Sequence, residues 1–354
     1  MTTIDFSARL ITWQKQYGRH DLPWQNTTDP YAIWVSEIML QQTQVTAVIG
    51  YYAKFIHRFP NIAVLAKASQ DDVLQHWSGL GYYSRARNLH KAAITIVSEH
   101  HGEFPLDFIT IQTLPGIGRS TAAAIASFAF KQIHTILDGN VKRVLARHFC
   151  VEGWPSSPKV EKQLWTLAEE LLPKNDMVAY TQGLMDLGAT LCTRNKPKCN
   201  VCPVNNSCEA YKQKRVHLLP TPKPRKAIPE KHITMLIMKC GDRIMLEKRP
   251  STGIWGGLWS FPEVDSMGNI TLAAQSRFSV TAKANETLPI LSHAFTHFKL
   301  HIKPQILRVI ALPNKVSEKG QVWLTINEAI DTGIPTPVRK ILLNLKVSAE
   351  ELEI

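Results

Sequence analysis

Through the first two hundred residues apolar positions recur three and four apart, and after residue 231 shorter strand-like runs replace them, so the pattern predicts helices first and strands later. Asp29-Pro30 opens a helix carrying Ile33, Trp34 and Ile38. The pattern breaks over Met39-Leu-Gln-Gln-Thr43 and resumes at Val45, Val48, Ile49, Tyr52, Phe55, Ile56 and Phe59 as far as Pro60, an amphipathic helix. Ser69-Gln-Asp-Asp72 caps a short helix, and Gly79 to Arg87 leads into another ending near Gly102. An alanine-rich helix follows Leu114-Pro-Gly-Ile-Gly118, with Ser120 and Thr121 as its expected caps. Another starts at Asp138 and buries Val141, Val144, Leu145 and His148; helices over 158–172 and 176–191 complete the series.

Ile233–Met238 and Ile244–Glu247 flank Cys240-Gly-Asp242 and read as a β-hairpin. Strand signals over 291–302, 305–310 and 322–324, with a terminal helix over 337–345, predict an α+β domain. Between the halves, Lys212, Lys214, Arg215, Lys223, Arg225, Lys226 and Lys231 oppose only Glu230, and Pro220, Pro222, Pro224 and Pro229 disfavour regular structure. The expected organisation is a helical domain over 1–211, a basic semi-stiff linker over 212–231 and a second domain over 232–354.

A length of 354 residues suffices for two cores. The chain holds no apolar run of about 18 residues and no signal-peptide pattern near its start, which predicts a soluble cytoplasmic protein with no membrane partner. A net charge of +12 favours a polyanionic partner. Six cysteines are too few for a disulfide scaffold. Four of them, Cys192, Cys199, Cys202 and Cys208, follow C-x6-C-x2-C-x5-C and can surround one metal centre, zinc or iron-sulfur by ligand count alone. Arg194, Lys196 and Lys198 lie between the first two ligands and suggest a basic loop. Cys150 and Cys240 are expected as core thiols.

Three further stretches carry candidate chemistry. Gly116 and Gly118 let a phosphate approach backbone amides at a helix N-terminus, and Asp138 stands twenty residues beyond Gly118. Glu37 has Ile33, Trp34, Leu40 and Gln41 as helical neighbours; facing inward it becomes a proton donor near neutral pH, although helix spacing alone favours a solvent-facing side chain. Gln41 and Gln42 can read base edges or serve as a polar connection. Tyr82, in the Gly-Tyr-Tyr turn with Arg85 and Arg87 nearby, suits an aromatic wedge flanked by phosphate-binding cations, or a core tyrosine.

Taken together, Leu22-Pro-Trp24, Ser36-Glu-Ile-Met-Leu-Gln-Gln-Thr-Gln-Val45, Gly79-Leu-Gly-Tyr-Tyr-Ser84, Leu114-Pro-Gly-Ile-Gly118, Leu137-Asp-Gly-Asn-Val141 and the cysteine spacing resemble the MutY-type adenine DNA glycosylases of the helix-hairpin-helix, iron-sulfur superfamily. The resemblance implies an all-α glycosylase domain with one 4Fe-4S cluster, acting as a monomer on double-stranded DNA with adenine opposite 8-oxoguanine or guanine. It makes Glu37 the general acid at the adenine and Asp138 the stabiliser of the sugar cation, supported by Asn140. Leu40 and Gln42 would face the lesion strand and Tyr82 would wedge the stack. Trp24, Gln41, Gly116, Gly118, Ser120 and Gln182 join the DNA- and substrate-binding set. Bifunctional relatives carry a lysine nucleophile where this chain has Ser120, which implies excision without efficient strand cleavage, Lys142 being a source of weak side reactivity. Gly253 to Glu263 resembles a Nudix-like segment, but the acidic Nudix box is missing, so the second domain is expected to recognise and not to hydrolyse. In it Phe295-Thr296-His297 matches the family's Phe-Ser-His turn for 8-oxoguanine, with Thr296 in place of serine. Gln25 departs from the arginine of many relatives. A lyase acting on pyrimidine lesions and a non-catalytic lesion sensor are the competing readings.

Overall fold

The Asp29 carboxylate accepts a hydrogen bond from the Tyr31 amide and Pro30 fills the first turn, so the second helix starts where the chain chemistry places it. The chain is described here from a computed structural model over residues 3–224, 227–265, 269–310 and 320–350. Backbone proximity divides it into two compact units, residues 1–67 with 91–225 and residues 68–90 with 226–354. The helices are α1 (Thr3–Tyr17), α2 (Pro30–Leu40), α3 (Val45–Arg58), α4 (Ile62–Lys67), α5 (Gln70–Trp77) and α6 (Ser84–Glu99). They continue with α7 (Phe108–Thr113), α8 (Arg119–Phe130), α9 (Gly139–His148), α10 (Pro158–Glu170), α11 (Met177–Asp186) and α12 (Glu209–Lys212).

In the first unit α1, α8, α9, α10 and α11 enclose a core built on Leu10, Ala124, Val144, Leu164 and Tyr180. The alanines of α8 let it sit at the centre: Ala122 to Ala126 are buried. The predicted caps at Ser69 and Asp138 are present, accepting from the amides of Asp72 and Val141. Ser120 and Thr121 are not caps. They lie inside the first turn of α8, where Gly118 is the cap residue. Their hydroxyls pin neighbouring segments instead: Ser120 Oγ accepts from the Leu137 amide at 3.0 Å, and Thr121 Oγ1 from Gln41 Nε2 at 3.3 Å.

Two further expectations change. The helix expected over 176–191 narrows to α11 and then widens into a π-helical turn, Leu187–Leu191, before Cys192. Such turns arise where another group crowds the helix, and here a Cβ on Gly188 would stand 2.6 Å from the Asn140 Cβ. The basic linker is also not free at its start. Val216–Leu218 forms a 3₁₀ turn, buried Leu219 gives its carbonyl to Arg147 Nε at 2.8 Å, and Thr221 Oγ1 accepts from the Gly153 amide. Its Arg225 and Lys226 lie outside the described residues.

The second unit holds a mixed sheet of β1 (Glu230–Cys240), β2 (Arg243–Lys248), β3 (Trp259–Ser260), β4 (Glu263–Asp265), β5 (Ala282–Thr287), β6 (Leu291–Ala294), β7 (Lys299–Val309) and β8 (Gln321–Thr325). The order is β3-β2-β1-β7-β5, with β4 on β1, β6 on β7 and β8 on β2. Parallel β1 and β7 form its centre, and Met235 to Met238 are wholly buried, as a strand covered on both faces requires. Helices α13 (Ile270–Phe278), α14 (Ile326–Ile330) and α15 (Thr336–Glu350) complete the described part. The strand expected over 291–302 is interrupted by a turn closed from the Phe295 amide to the Phe298 carbonyl. Conversely, Pro304 does not end β7. Its carbonyl accepts from the Leu288 amide, and the single reciprocal bond that proline cannot donate is forgone at the place where β7 changes partner from β6 to β5.

Gly188→Ala is expected to lower stability by about 1–3 kcal/mol, the usual cost of overpacking, because the Asn140 backbone cannot retreat. Denaturant unfolding checks this; an unchanged midpoint would show that the π turn relaxes freely.

Candidate active site

A cavity of about 730 Å³ opens among the loop after α1, α2, the end of α8 and α11. Trp24, Glu37, Leu40 and Gln182 all line it. Its shape is set by the apolar turn at Leu22 to Gln25, in which Trp24 is buried and meets Tyr52 edge-on at 5.4 Å. Gln25 closes that turn, accepting from the Leu22 amide and donating to the Arg19 carbonyl, so its amide serves the backbone. One nearby cation is Arg19, held on fully buried Asp186 at 2.7 Å, and Gln182 Nε2 donates to the same carboxylate at 2.8 Å.

Glu37 faces the cavity from α2, among buried Ile33, Trp34 and Ile38. Burial pushes its carboxyl up to about 8, with the charge of Asp138 adding to the effect. The Glu37 side chain is half-buried on the cavity wall, so it does not stand on the open surface of the helix. Asp138 is treated differently by its surroundings. Burial raises its pKa too, while the Val141 and Asn140 amides, Arg143 and the Asn140 side chain pull against burial. The Val141 amide donates to Oδ1 at 2.7 Å and Asn140 Nδ2 to Oδ2 at 3.4 Å. Asn140 is oriented in turn by Arg143 Nη2, which also binds the Gly188 carbonyl at 2.7 Å. Asp138 and Asn140 are not on the wall of the large cavity; Asp138 is coupled to Glu37 through charge.

Of the hairpin glycines, Gly116 has φ +82°, a conformation that favours glycine, whereas Gly118 is extended and a Cβ there would meet nothing within 4 Å. Arg119 is engaged with Glu169 and lies 4.0 Å over the Trp165 ring. Lys142 is held by Glu161 at 2.7 Å. Gln41 is half-buried against Thr121, while exposed Gln42 has φ +57° in the turn between α2 and α3.

Cys192, Cys199, Cys202 and Cys208 border one small cavity of about 30 Å³. Burial raises the thiols of Cys199, Cys202 and Cys208, that of Cys202 to about 12, and neighbouring cysteines add to the effect. Four thiols so placed ionise together only around a cation, which is the donor set a metal centre needs. Buried Arg147 holds the loop by donating to the carbonyls of Thr193 and Arg194 and to Cys192 Sγ at 3.4 Å. Arg194, Lys196 and Lys198 are exposed as expected. Cys150 and Cys240 are both half-buried; Cys240 packs against the core of the second unit, whereas Cys150 accepts from Arg215 and is no core thiol.

In the second unit, exposed Tyr82 has φ +48° after Gly79 and Gly81, both also at positive φ. The expected flanking cations are not free. Arg85 is buried, binds the Leu80 and Gly81 carbonyls and stacks over Trp77 and Tyr82; Arg87 binds the Gly256 carbonyl at 2.6 Å. Phe295 stacks on Phe298 at 4.6 Å and meets Trp255 at 5.4 Å, which leaves Thr296 and His297 exposed at the turn.

Family models match twice: one described as HhH-GPD superfamily base excision DNA repair protein over residues 35–170, and a NUDIX domain over 233–344. An adenine DNA glycosylase of Buchnera aphidicola subsp. Acyrthosiphon pisum is 39% identical over 347 residues, covering 98% of this chain and 99% of its own. The chain belongs to the adenine DNA glycosylase family. The Mus musculus adenine DNA glycosylase is 34% identical over 95% of this chain and 77% of its own. A thermostable thymine-DNA glycosylase superposes with TM-score 0.54 at 31% identity, over 59% of this chain and 95% of that one. Endonuclease III bound to DNA shares the fold, with TM-score 0.51 at 21% identity over 60% of this chain and 98% of that one. The protein is thus a base-excision repair DNA glycosylase, a hydrolase of N-glycosyl bonds whose substrate is DNA, with a helical glycosylase fold and a Nudix-like C-terminal fold. Among the described residues no helix is long and apolar enough to cross a membrane.

Arg19, Asp186, Arg143, Arg147 and Gly188 escaped the sequence reading. The available signal was Gln182 and Asp186, four apart on a helix whose other buried positions, Thr181 apart, are apolar, since a buried carboxylate calls for a cation.

Glu37 makes a signed prediction. Its raised folded pKa contributes stability that is fully present below about pH 4.5 and is lost as pH rises through about 8. Glu37→Gln is expected to gain on wild type as pH rises, by a few kcal/mol at pH 9 relative to pH 5. Equal gaps in unfolding free energy at the two pH values would mean that the carboxyl is solvated.

Proposed function

We propose that the protein excises adenine opposite 8-oxoguanine or guanine from duplex DNA, as a monomer and without efficient strand cleavage. The reading rests on one observation: half-buried Glu37, its carboxyl pushed up to about 8, lines a cavity large enough for a purine and feels the charge of a second half-buried carboxylate, Asp138. A stacked adenine cannot reach that carboxyl, so the base is turned out of the duplex at a cost of a few kcal/mol, less at a mispair. Trp24, Leu40 and Gln182 border the space it enters. Glu37 protonates the purine ring and makes it a leaving group, an effect worth about a hundredfold to ten thousandfold. Asp138, ionised and held by Asn140, stabilises the positive charge that develops on the sugar, and water completes the hydrolysis.

Residues 1–211 supply this chemistry. Gly116, Gly118 and the amides beside Ser120 grip a phosphate, with Gln41, Gln42 and Tyr82 at the duplex. Gln42 and Tyr82 suit that place because each is exposed in a left-handed conformation that aims a large side chain outward from a tight turn. Ser120 is hydrogen-bonded to the Leu137 amide and is no amine nucleophile, and Lys142 is held by Glu161; both observations support base release without lyase chemistry. Cys192, Cys199, Cys202 and Cys208 hold one 4Fe-4S cluster, which shapes the loop bearing Arg194, Lys196 and Lys198 and takes no part in the glycosidic step. Residues 212–231 join the halves, and 232–354 recognise the lesion through Phe295, Thr296 and His297. The reduced thiols suit a cytoplasmic protein.

One assay tests the reading: scission of duplexes carrying adenine opposite 8-oxoguanine or guanine, with and without alkali. Wild type is expected to give breaks only after alkali; Glu37→Gln binds the duplex but loses at least a hundredfold in single-turnover excision. Thr296→Ala is expected to lose preference for 8-oxoguanine while retaining excision. Breaks without alkali contradict the monofunctional reading, and normal excision by Glu37→Gln contradicts the acid role.

A further inference from the structure

The first residues of β1 bring together a second group of metal-ligating side chains, far in sequence from the cysteines. β1 runs parallel to β7 in a register that pairs Glu230 with Lys299 and His232 with His301. Residues two apart on a strand share a face, so Glu230, His232 and His301 converge. The two imidazoles stack with centroids 4.7 Å apart, and Glu230 Oε2 lies 3.4 Å from His301 Nε2. One ligand atom from each of the three side chains falls within 4.8 Å of the others. From the opposite edge of β7, Ser292 of β6 pairs with His301 and its hydroxyl meets Nδ1 at 2.8 Å.

His301 Nε2 is shielded from solvent and makes no hydrogen bond. In the tautomer whose Nδ1 donates to Ser292, Nε2 carries a lone pair on the side of the carboxylate. We propose that Glu230, His232 and His301 bind one divalent transition-metal cation of the zinc class, with Ser292 as the positioning residue. Two imidazoles and a carboxylate suit zinc, copper or nickel over magnesium or calcium. Ligands on a tetrahedral zinc lie about 3.3 Å apart, given bonds of about 2.0–2.1 Å, close to the spacing His301 and Glu230 already have. Glu230 and His232 are exposed, so water completes the shell. Lys299 Nζ approaches Glu230 Oε1 at 3.3 Å, which leaves Oε2 for the metal and limits affinity by its charge. Lys231 Nζ lies over the Phe298 ring, away from the ligand atoms. A bound cation ties the start of β1 to the β6–β7 hairpin and so steadies the Phe295–Phe298 turn, whichever base that turn meets.

The competing account is a plain ion pair between protonated His301 and Glu230, which takes up no metal. Calorimetric titration of the full-length protein, its cysteine-bound metal in place, with zinc chloride at pH 7.5 separates the two. One equivalent is expected to bind, weakened at least tenfold by His232→Gln or Glu230→Gln and about tenfold by Ser292→Ala, with iron content and far-ultraviolet circular dichroism unchanged. Titration with cobalt chloride is expected to give d–d bands without thiolate charge-transfer absorption. No uptake by wild type, equal uptake by His232→Gln, or thiolate bands from the bound cobalt would overturn the proposal.

Discussion

Two half-buried carboxylates in a strongly basic protein form the constraint on which the glycosylase unit depends. Glu37 is placed among apolar side chains of α2 and keeps its proton near neutrality. Asp138 caps α9 and is met by two amides, Asn140 and Arg143. Burial raises both carboxyls, and only Asp138 is given donors that oppose the rise.

The donors at Asp138 are themselves held from a distance. Arg143 spans Asn140 and the Gly188 carbonyl, and Gly188 belongs to the π turn that delivers Cys192. Arg147, one turn further along α9, fastens the cysteine loop through three consecutive residues and takes the Leu219 carbonyl as well. One helix therefore connects the Asp138 carboxylate, the cysteine loop and the start of the linker. On the other side Ser120 fixes the segment entering Asp138 to the hairpin.

Much of this was legible in the sequence because its signals are local. Asp29-Pro30, Ser69 and Asp138 start helices by short-range hydrogen bonding, and the break at Met39–Thr43 appears where the apolar period fails. Cysteine spacing needed no fold to be read. What stayed hidden depends on partners distant along the chain. Ser120 has the chemistry of a cap, and only the approach of Leu137 shows that its hydroxyl is used elsewhere. Arg85 and Arg87 look like phosphate ligands until carbonyls claim them. Pro304 suggests a strand end until the partner switch of β7 accommodates it. The setting of Glu37, undecided by helix spacing, depends on the packing of α2, which leaves its side chain half-buried on the cavity wall.

Single-turnover release of adenine, followed from about pH 5 to about pH 10, tests most directly whether a protonated Glu37 drives base loss while an ionised Asp138 supports the sugar. A bell-shaped profile is predicted, falling tenfold per unit above about 8 as Glu37 loses its proton and falling again in acid as Asp138 gains one. A rate that stays level from neutrality through pH 9.5 would contradict it.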